Sequence, residues 1–372
     1  MHLNVHAHEL RSVISRISAI VDKKNTRPIL SCILLVAKKN YLQLSCTDQE
    51  VAAQIFIPAE IFEEGSFCVN AKNFSDVLRD FPESLVSISF NDQENILKIQ
   101  NENINFSLVG FNDTQFPLLF FGDKQPSFEI PSYELLRIIN KTSYAISVDE
   151  TRPYLNGIYL QQIDAKLRSV ATDGYRLSLL DIEDFSSNVV EYMSNGIIIP
   201  KKAVFELKKM AENHLDKIFK ISVDESFIYA SVDDLDFLSS RLISREYVKY
   251  QAVIPSKVSY VITADKNLLL NAVKRIRIMS DEKTNGIRLS FLKNEMHVTA
   301  KNPSLGHGVE KIPVEYDDKE IELGLNARYM IDLLSAFESN EVQLELKNEF
   351  GPILVKSLDE QNFLGVIMPF KL

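Results

Sequence analysis

Cysteine is scarce in this sequence: three residues among 372, all of them in the first third of the chain. Cys32, Cys46 and Cys68 are too few and too irregularly spaced for a disulfide scaffold or a CxxC metal site. We interpret them as small buried hydrophobic residues in a reducing compartment. We therefore expect no metal and no cofactor.

Membrane-spanning and secretory signals are also lacking. No uninterrupted apolar run has the length of a bilayer-spanning helix. The N-terminus, residues 1–6, has neither the basic start nor the apolar stretch of a signal peptide. The composition is 45% hydrophobic and 25% charged, which is ordinary for a globular protein, so we expect a cytoplasmic one.

What the sequence does contain is a threefold repeat of two short blocks. The first block begins at residues 28, 156 and 285 and continues through an apolar segment to a polar corner, which is Cys46-Thr47-Asp48, Ala171-Thr172-Asp173 and Ala300-Lys301-Asn302. The second block is Val69-Asn70-Ala71-Lys72, Ile199-Pro200-Lys201-Lys202 and Leu325-Asn326-Ala327-Arg328. Repeats of this length are whole domains. We predict three domains, 1–124, 125–253 and 254–372.

Each predicted domain combines helices with antiparallel strands. Apolar spacing and start signals predict six helices, over 7–24, 71–80, 132–146, 201–213, 265–280 and 327–338. Alternating segments between them are typical of strands with one buried face. In the third helix we expect Arg137 and Lys141 to point outward. The fold class is therefore α+β.

Charge is distributed unevenly along the chain. The net charge is −10, yet the six helical windows together carry +7, so the remainder carries −17. For one basic helix a solvated surface is the simpler interpretation. For six repeated helices, a common positive surface within an acidic shell becomes more favourable, and such a surface can follow phosphates without reading sequence.

Three segments resemble the bacterial β sliding clamp family, the processivity subunits of DNA polymerase III. They are Ala171-Thr172-Asp173-Gly174-Tyr175-Arg176-Leu177, Tyr154-Leu155-Asn156-Gly157 and the terminal Val366-Ile367-Met368-Pro369-Phe370-Lys371-Leu372. The resemblance covers the whole chain and implies three repeated clamp domains, each with about two helices and antiparallel sheets, that form half of a closed ring. It implies a homodimer around duplex DNA, bound without sequence preference, and a tether for the replicative polymerase.

The resemblance also implies one pocket per subunit for short peptides of polymerases, the clamp loader and repair factors. Carried onto this chain, the pocket consists of Leu155, Thr172, Gly174, Tyr175, Arg176, Leu177, Val253, Asn326, Tyr329, Val366, Ile367, Met368, Pro369, Phe370 and Leu372. The apolar tail fits a cleft for several ligands, although it could equally be a closing strand. The chain departs from the family pattern at Val248, Ala252 and Thr284, where we expect altered peptide preference.

Two further sets of residues follow from the resemblance. The DNA-contacting positions are Lys24, Arg152, Tyr154, Lys201 and Lys202. The dimer contact joins Phe106 and Leu108 of one subunit to Ile278 and Met279 of the other. From the residues alone, these four apolar side chains fit an intradomain core equally well.

Two competing function classes remain at this point. An enzyme could use Asp173, Tyr175 and Arg176 for acid–base chemistry, but the chain has no P-loop, GxGxxG, nucleophile elbow or HExxH motif. The repeat places Asp48 and Asn302 at positions equivalent to Asp173, which is typical of a turn-stabilising residue. We therefore predict that the chain is not an enzyme. The other alternative is a peptide-binding scaffold that works without DNA.

Overall fold

The structure is a computed structural model, and it describes residues 1–21, 27–91, 94–122, 125–185 and 190–371. Seven α-helices lie within these ranges. They are α1 (Ala7–Ile17), α2 (Ala71–Arg79), α3 (Ser132–Thr142), α4 (Val190–Met193), α5 (Lys201–Asn213), α6 (Lys266–Arg277) and α7 (Ala327–Ala336).

The strands of the described ranges are all paired antiparallel and form three sheets. The first nine strands are β1 (His2–His6), β2 (Cys32–Lys38), β3 (Tyr41–Thr47), β4 (Val51–Pro58), β5 (Glu60–Glu63), β6 (Gly65–Asn70), β7 (Leu85–Asn91), β8 (Ile96–Asn101) and β9 (Ile104–Phe111). The next eight are β10 (Ser127–Pro131), β11 (Gly157–Ile163), β12 (Lys166–Thr172), β13 (Arg176–Ile182), β14 (Ile197–Pro200), β15 (Ile218–Val223), β16 (Phe227–Val232) and β17 (Asp236–Arg241). The last eight are β18 (Tyr260–Asp265), β19 (Gly286–Leu292), β20 (Glu295–Asn302), β21 (Gly306–Pro313), β22 (Ile321–Asn326), β23 (Glu341–Leu346), β24 (Ile353–Lys356) and β25 (Phe363–Ile367).

The described residues group into two compact units. The first unit comprises those of Met1–Leu135 and Phe205–Leu242, and the second those of Leu136–Ser186, Val190–Val204 and Ile243–Leu372. A thirteen-stranded sheet of order β10-β15-β16-β17-β4-β3-β2-β6-β9-β8-β7-β1-β5 belongs to the first unit. The second unit contains an eight-stranded sheet, β14-β11-β12-β13-β25-β24-β23-β18, and a four-stranded sheet, β21-β20-β19-β22.

The sequence repeat is a structural repeat with the same strand register in each copy. In each copy the strand of the first block pairs with the strand of the second block, and the paired positions are Cys32 with Asn70, Gly157 with Pro200, and Gly286 with Asn326. The strand orders β6-β2-β3-β4, β14-β11-β12-β13 and β22-β19-β20-β21 are therefore equivalent. Strand pairing therefore confirms the repeat that the sequence blocks predicted.

The predicted helices are confirmed in position, although several end early. Helix α1 buries Leu10, Ile14 and Ile17 and ends there, well before residue 24. The short helix α4 had no counterpart among the predictions. The helices carry their apolar faces inward: α1 and α2 contact each other and neighbouring strands of their sheet, as do α6 and α7. None of the helices in the described part of the chain combines the length and hydropathy needed to span a bilayer.

The prediction that Lys141 points outward is wrong. Its side chain is 3% exposed, and its Nζ donates to Glu360 Oε2 at 2.5 Å and to the carbonyl of Ala336 at 2.9 Å. Arg16 of α1 is likewise mostly buried and forms an ion pair with Asp236. Buried cations require such partners because an unpaired charge in the interior is costly. Part of the positive charge counted on the helices is therefore neutralised inside the fold.

Candidate functional site

The polar corner at residues 172–176 is a tightly hydrogen-bonded turn. Asp173 Oδ1 accepts from the backbone N–H groups of Tyr175 at 2.9 Å and Arg176 at 3.0 Å. Thr172 Oγ1 donates to the carbonyl of Arg176 and accepts from the N–H of Gly174. Asp48 bonds the backbone of Glu50 and Val51 in the same way, and the third copy has Asn302 bonded to Ser304 N–H. The prediction of a turn-stabilising residue is confirmed.

Gly174 is required at this corner by its backbone conformation. Its φ is +92°, which strains any residue with a Cβ, and a Cβ there would lie 2.8 Å from Arg152 Nη1. The glycine thus lets the turn expose Tyr175, which is 59% accessible, while Arg152 approaches from beside it.

Arg176 is fixed by four contacts within the second unit. Its guanidinium donates to Asp173 Oδ2 at 3.1 Å, to Asp332 Oδ2 at 2.6 Å and to the carbonyl of Tyr144 at 2.5 Å. It also lies 4.5 Å above the ring of Tyr329, at cation–π distance. A guanidinium held on several sides is a preorganised wall rather than a mobile surface charge.

The C-terminal tail is anchored to this corner. Strand β25 pairs with β13, with Ile367 opposite Arg176 and Val366 opposite Leu177, and the N–H of Met368 donates to the carbonyl of Tyr175. Alternate residues of a strand face opposite sides. Ile367 accordingly faces the core, fully buried, whereas Val366 and Met368 face a cavity. The tail is therefore both a closing strand and a cavity wall.

The cavity has a volume of about 280 Å³, and its lining is mainly apolar. Four segments of the second unit surround it: the turn before β11, the corner with β13, the segment around residue 250, and the C-terminal tail. Its lining residues are Arg152, Tyr154, Leu155, Thr172, Gly174, Arg176, Leu177, Val248, Lys249, Tyr250, Val253, Val366 and Met368. Three of these residues, Arg152, Arg176 and Lys249, are basic.

A buried aromatic cluster supports the floor of the cavity. Tyr159 and Tyr247 stack with ring centroids 4.6 Å apart and planes only 6° from parallel, and Tyr250 packs edge-on against Tyr247. Leu155, Leu177 and Val366 belong to the same cluster. Burial raises the pKa of Tyr247 above its ordinary value because the phenolate is disfavoured in an apolar site. Tyr247 is therefore a neutral structural residue.

Eight of the fifteen residues predicted for the pocket line this cavity. They are Leu155, Thr172, Gly174, Arg176, Leu177, Val253, Val366 and Met368. Tyr175 lies exposed on the corner beside it, and Tyr329 lies beneath Arg176. Asn326 caps helix α7 by accepting from the N–H groups of Arg328 and Tyr329.

The remaining predicted pocket residues lie elsewhere. Pro369 and Phe370 line a different cavity of about 270 Å³ with Arg288, Gly324 and Phe350. The N–H of Phe370 donates to the carbonyl of Gly324, which directs the tail toward that cavity. Leu372 is outside the described residues.

Sequence reasoning missed Lys249 and Tyr250, which form one wall of the cavity together with Val248. It had considered Val248 only as a substituted pocket position, and Val248 does line the cavity. Of the other departures, Ala252 is exposed and Thr284 lies in a turn bonded to Asp281, and neither lines the cavity. A usable signal was the run of apolar residues Tyr247, Val248, Tyr250 and Val253 in the connection between strands β17 and β18, since exposed connections seldom need so many.

Two of the five predicted DNA residues also line the cavity. Arg152 pairs with Asp149 at 2.8 Å, which raises the pKa of the guanidinium, and Tyr154 is half-buried next to it. Lys201 and Lys202 begin helix α5 and are half-buried. Lys24 is outside the described residues.

The four predicted dimer residues lie at the surface or beside it. Phe106 on β9 is 41% exposed and Ile278 after α6 is 71% exposed, whereas Leu108 and Met279 are half-buried. Exposed large apolar side chains at a strand edge are more typical of an interface than of a core. Among the described residues, no group of three or more His, Cys, Asp or Glu side chains could hold a metal ion.

Comparison with known proteins places the chain and its fold in one family. Three family models match in tandem: the DNA polymerase III beta subunit N-terminal domain over residues 1–120, the central domain over 129–249 and the C-terminal domain over 251–371. The chain is 30% identical to the beta sliding clamp of Caulobacter vibrioides and 29% identical to that of Pseudomonas aeruginosa, with full coverage of each protein.

Solved structures agree with these matches. The sliding clamp of Pseudomonas aeruginosa with ligand superposes with a TM-score of 0.92, and that of Bartonella birtlesii bound to griselimycin with 0.94, each at 28% identity and full coverage of both chains. The chain therefore has three clamp domains, each with helices and antiparallel sheets. It belongs to the DNA polymerase III β subunit family, the bacterial β sliding clamps.

Proposed function

We propose that this chain is a DNA sliding clamp: a ring-shaped homodimer that encircles duplex DNA and tethers the replicative polymerase. The observation that carries the proposal is the full-length match to sliding clamps, in tandem over all three repeats. Members of this family are processivity factors, so the chain is a non-catalytic subunit. The proposed domains remain 1–124, 125–253 and 254–372.

The apolar cavity beside Arg176 is the proposed docking site for partner peptides. Leucine and valine side chains, together with Met368, offer a dry and adaptable surface, while Arg152, Arg176 and Lys249 offer donors to peptide carbonyls and carboxylates. Similar clamps from Bartonella birtlesii and Pseudomonas aeruginosa bind griselimycin in solved structures, so family members hold a ligand. Polymerase, clamp loader and repair factors are the proposed sources of the peptides.

A peptide titration tests this site directly. A fluorescent peptide with the sequence Gln-Leu-x-Leu-Phe is titrated with the full chain and with a variant that lacks residues 368–372. We expect saturable binding that is lost in the shortened variant, because Met368 forms one wall of the cavity. Phe350→Ser is a matched control, since Phe350 is 68% exposed and does not line this cavity. Equal binding by the shortened variant would refute the proposed site.

The internal repeat supports a specific dimer contact. Each domain presents a second set of strands, in the equivalent orders β1-β7-β8-β9, β10-β15-β16-β17 and β18-β23-β24-β25. The last strand of such a set pairs with the terminal strand of a first-block set, as β17 does with β4 and β25 does with β13. The terminal strand of the last copy, β21, pairs among the described strands only with β20. Strand β9 is the remaining equivalent of β17 and β25. Its end, at Gly110 and Phe111, pairs with β6, whereas residues 104–109 pair among the described strands only with β8.

We therefore propose that β21 of one subunit pairs with β9 of a second subunit. Both strands carry exposed apolar residues, with Val109 73% accessible on β9 and Val309 55% accessible on β21. Phe106 and Leu108 would then approach Ile278 and Met279, as the resemblance implies. A head-to-tail contact of this kind closes into a ring when the rotation allows it.

The proposed mechanism is topological. A closed ring leaves DNA only by opening or by sliding off an end, so the surface contacts need not be tight. Lys24, Arg152, Tyr154, Lys201 and Lys202 are the proposed DNA contacts, which would be made to the backbone and would be salt-sensitive and independent of sequence. A polymerase bound through its peptide is kept at high local concentration near the primer end.

A further inference from the structure

The first unit contains a second cavity, which is built largely from aromatic side chains. Its volume is about 680 Å³. Strands β4, β16 and β17 form its floor, and residues 119–122 and 125 form its wall. The lining residues are Gln54, Phe56, Leu119, Phe120, Phe121, Gly122, Gln125, Tyr229, Asp234 and Phe237.

This cavity lies along the strand pair that corresponds to the pair beside the Arg176 cavity, but further along it. When the two copies are aligned at the polar corners Asp48 and Asp173, Gln54 corresponds to Leu179. Gln54 pairs with Phe237 between β4 and β17, and Leu179 pairs with Leu364 between β13 and β25, next to Leu177 and Val366 of the first cavity. In each unit, residues that follow the domain also line the cavity: 119–122 and 125 in the first, and 248–250 and 253 in the second. Each of the two corresponding strand pairs thus carries a cavity with a wall of linker residues.

The two cavities differ in chemistry. The cavity beside Arg176 is lined mainly by aliphatic side chains, with two tyrosines and three basic residues. The described lining of the second cavity has four phenylalanines, a tyrosine, two glutamines and the carboxylate of Asp234, with no Lys or Arg. Asp234 lies in the turn between β16 and β17, where its neighbour Asp233 is already paired with Lys217 at 2.9 Å. The preferred ligand should therefore be aromatic and basic, and distinct from that of the first cavity.

The aromatic walls are held in place by their own contacts. Phe237 packs against Phe56 and Phe121, with ring centroids 6.1 Å and 5.7 Å apart. Tyr229 is fixed because its hydroxyl donates to Asp224 Oδ2 at 2.8 Å. Gly122, with φ +70°, lets the linker lie on the face of the Tyr229 ring, where a Cβ would be only 2.6 Å from the ring. Phe120 remains 72% exposed at the mouth of the cavity.

We propose that this cavity is a second peptide-binding site, for an extended segment of a partner protein with two aromatic side chains and a neighbouring Lys or Arg. Aromatic side chains at alternate positions of an extended peptide point to the same side and enter the cavity together. Amides of Gln54 and Gln125 bond the peptide backbone, and Asp234 receives the cation. The inference does not depend on DNA encirclement; it rests on the proposed function only through the peptide-binding role of the cavity on the corresponding strand pair.

The test uses the full chain and the peptide acetyl-Lys-Phe-Ser-Phe-amide, with fluorine on both rings, followed by fluorine NMR. We expect saturable one-to-one binding with a Kd of about 0.1–1 mM, as is reasonable for so small a ligand. Phe120→Ser should weaken binding by about 3–10-fold. Asp234→Asn, and independently a Glu in place of the peptide's Lys, should weaken it by about 2–5-fold.

Two controls locate the binding. Phe62→Ser removes another exposed phenylalanine of the first unit, 55% accessible and outside the cavity, and should leave binding unchanged. Met368→Asp damages the cavity beside Arg176 and should abolish binding of the Gln-Leu-x-Leu-Phe peptide while sparing the new one. Loss of the new peptide in Met368→Asp, or no binding at about 2 mM peptide, would overturn the second site. Failure of the Gln-Leu-x-Leu-Phe peptide alone would count instead against the proposed function.

Discussion

At the scale of single residues, the polar corner connects the internal repeat to the proposed peptide site. Asp48 and Asp173 make the same pair of backbone hydrogen bonds in the first and second copies. Only Asp173 also contacts an arginine of the cavity wall, through the 3.1 Å bond to Arg176 Nε. The corner is thus a structural turn in every copy and gains a positioning role in one.

The first prediction separates these roles by substitution at Asp173. Asp173→Asn keeps an acceptor for both N–H groups and should change peptide affinity less than about 3-fold. Asp173→Ala leaves those N–H groups unpaired and should lower the free energy of unfolding by about 1–2 kcal/mol and weaken binding. Asp48→Ala is the matched control, expected to lower stability similarly without affecting peptide affinity. Complete loss of function in Asp173→Asn would instead support a catalytic role for this carboxylate.

The second prediction concerns the buried pair of Lys141 and Glu360. Burial acts to raise the pKa of Glu360, but hydrogen bonds from Lys141 and from the backbone of Ser339 outweigh it and lower the pKa below its ordinary 4.5. The charged carboxylate therefore stabilises the fold above about pH 4.5, and this contribution is lost as the pH falls through the folded-state pKa.

Thermal unfolding of Glu360→Gln checks this linkage. At pH 7 the variant should lose about 1–3 kcal/mol, because Lys141 is left without its close anionic partner. The difference from the unmodified chain should shrink as the pH falls well below 4.5. Glu338→Gln is the control: Glu338 lies 3.4 Å from Lys141 but is 79% exposed, so its loss should cost little. A deficit for Glu360→Gln that stays constant with pH would contradict the charge explanation.

At the scale of elements, periodicity and cap residues were sufficient to predict six of the seven helices in the described ranges; the four-residue α4 was not predicted. Asn70 and Asn326 stand in equivalent blocks, and each accepts a backbone N–H at the start of its helix. What the sequence could not predict depends on contacts between distant segments. Lys141 has the spacing of an exposed residue, but its partner Glu360 is 219 positions away. The cavity wall at residues 248–250 likewise forms only when this segment packs next to strands β13 and β25, which are distant from it in sequence or from each other.

The third prediction distinguishes a cap from a ligand contact at Asn326. Asn326→Ala should lower the free energy of unfolding by about 1 kcal/mol, the usual cost of removing an N-cap. The affinity for the Gln-Leu-x-Leu-Phe peptide should change less than about 2-fold, because Asn326 does not line the cavity. Asn70→Ala provides the matched cap removal in helix α2. A large drop in affinity with unchanged stability would instead restore Asn326 to the binding site, as the resemblance had implied.

At the scale of the whole molecule, the proposed dimer joins strand β21 of one subunit to β9 of a second subunit. The fourth prediction tests that contact with Ile278→Asp, measured by light scattering after size-exclusion chromatography. Placing a charge at the proposed apolar contact should weaken dimerisation by about 100-fold or more. Leu358→Asp is the control, since Leu358 is also exposed, at 61%, but lies outside the proposed contact. A dimer that tolerates Ile278→Asp would place the interface elsewhere.

The fifth prediction concerns the ring itself. Clamps loaded by a clamp loader onto a nicked circular plasmid should stay bound through gel filtration and should be released when a restriction enzyme linearises the plasmid, because a ring slides off a free end. Lys201→Glu with Lys202→Glu should reduce loading and should lower the salt dependence by about one unit of slope for each phosphate that is no longer neutralised. Changing both residues to Arg keeps their charge and should retain loading. Equal retention on circular and linear DNA would show that the protein binds along the duplex rather than around it. A chain that never binds DNA but keeps its peptide affinity would instead be the DNA-independent scaffold.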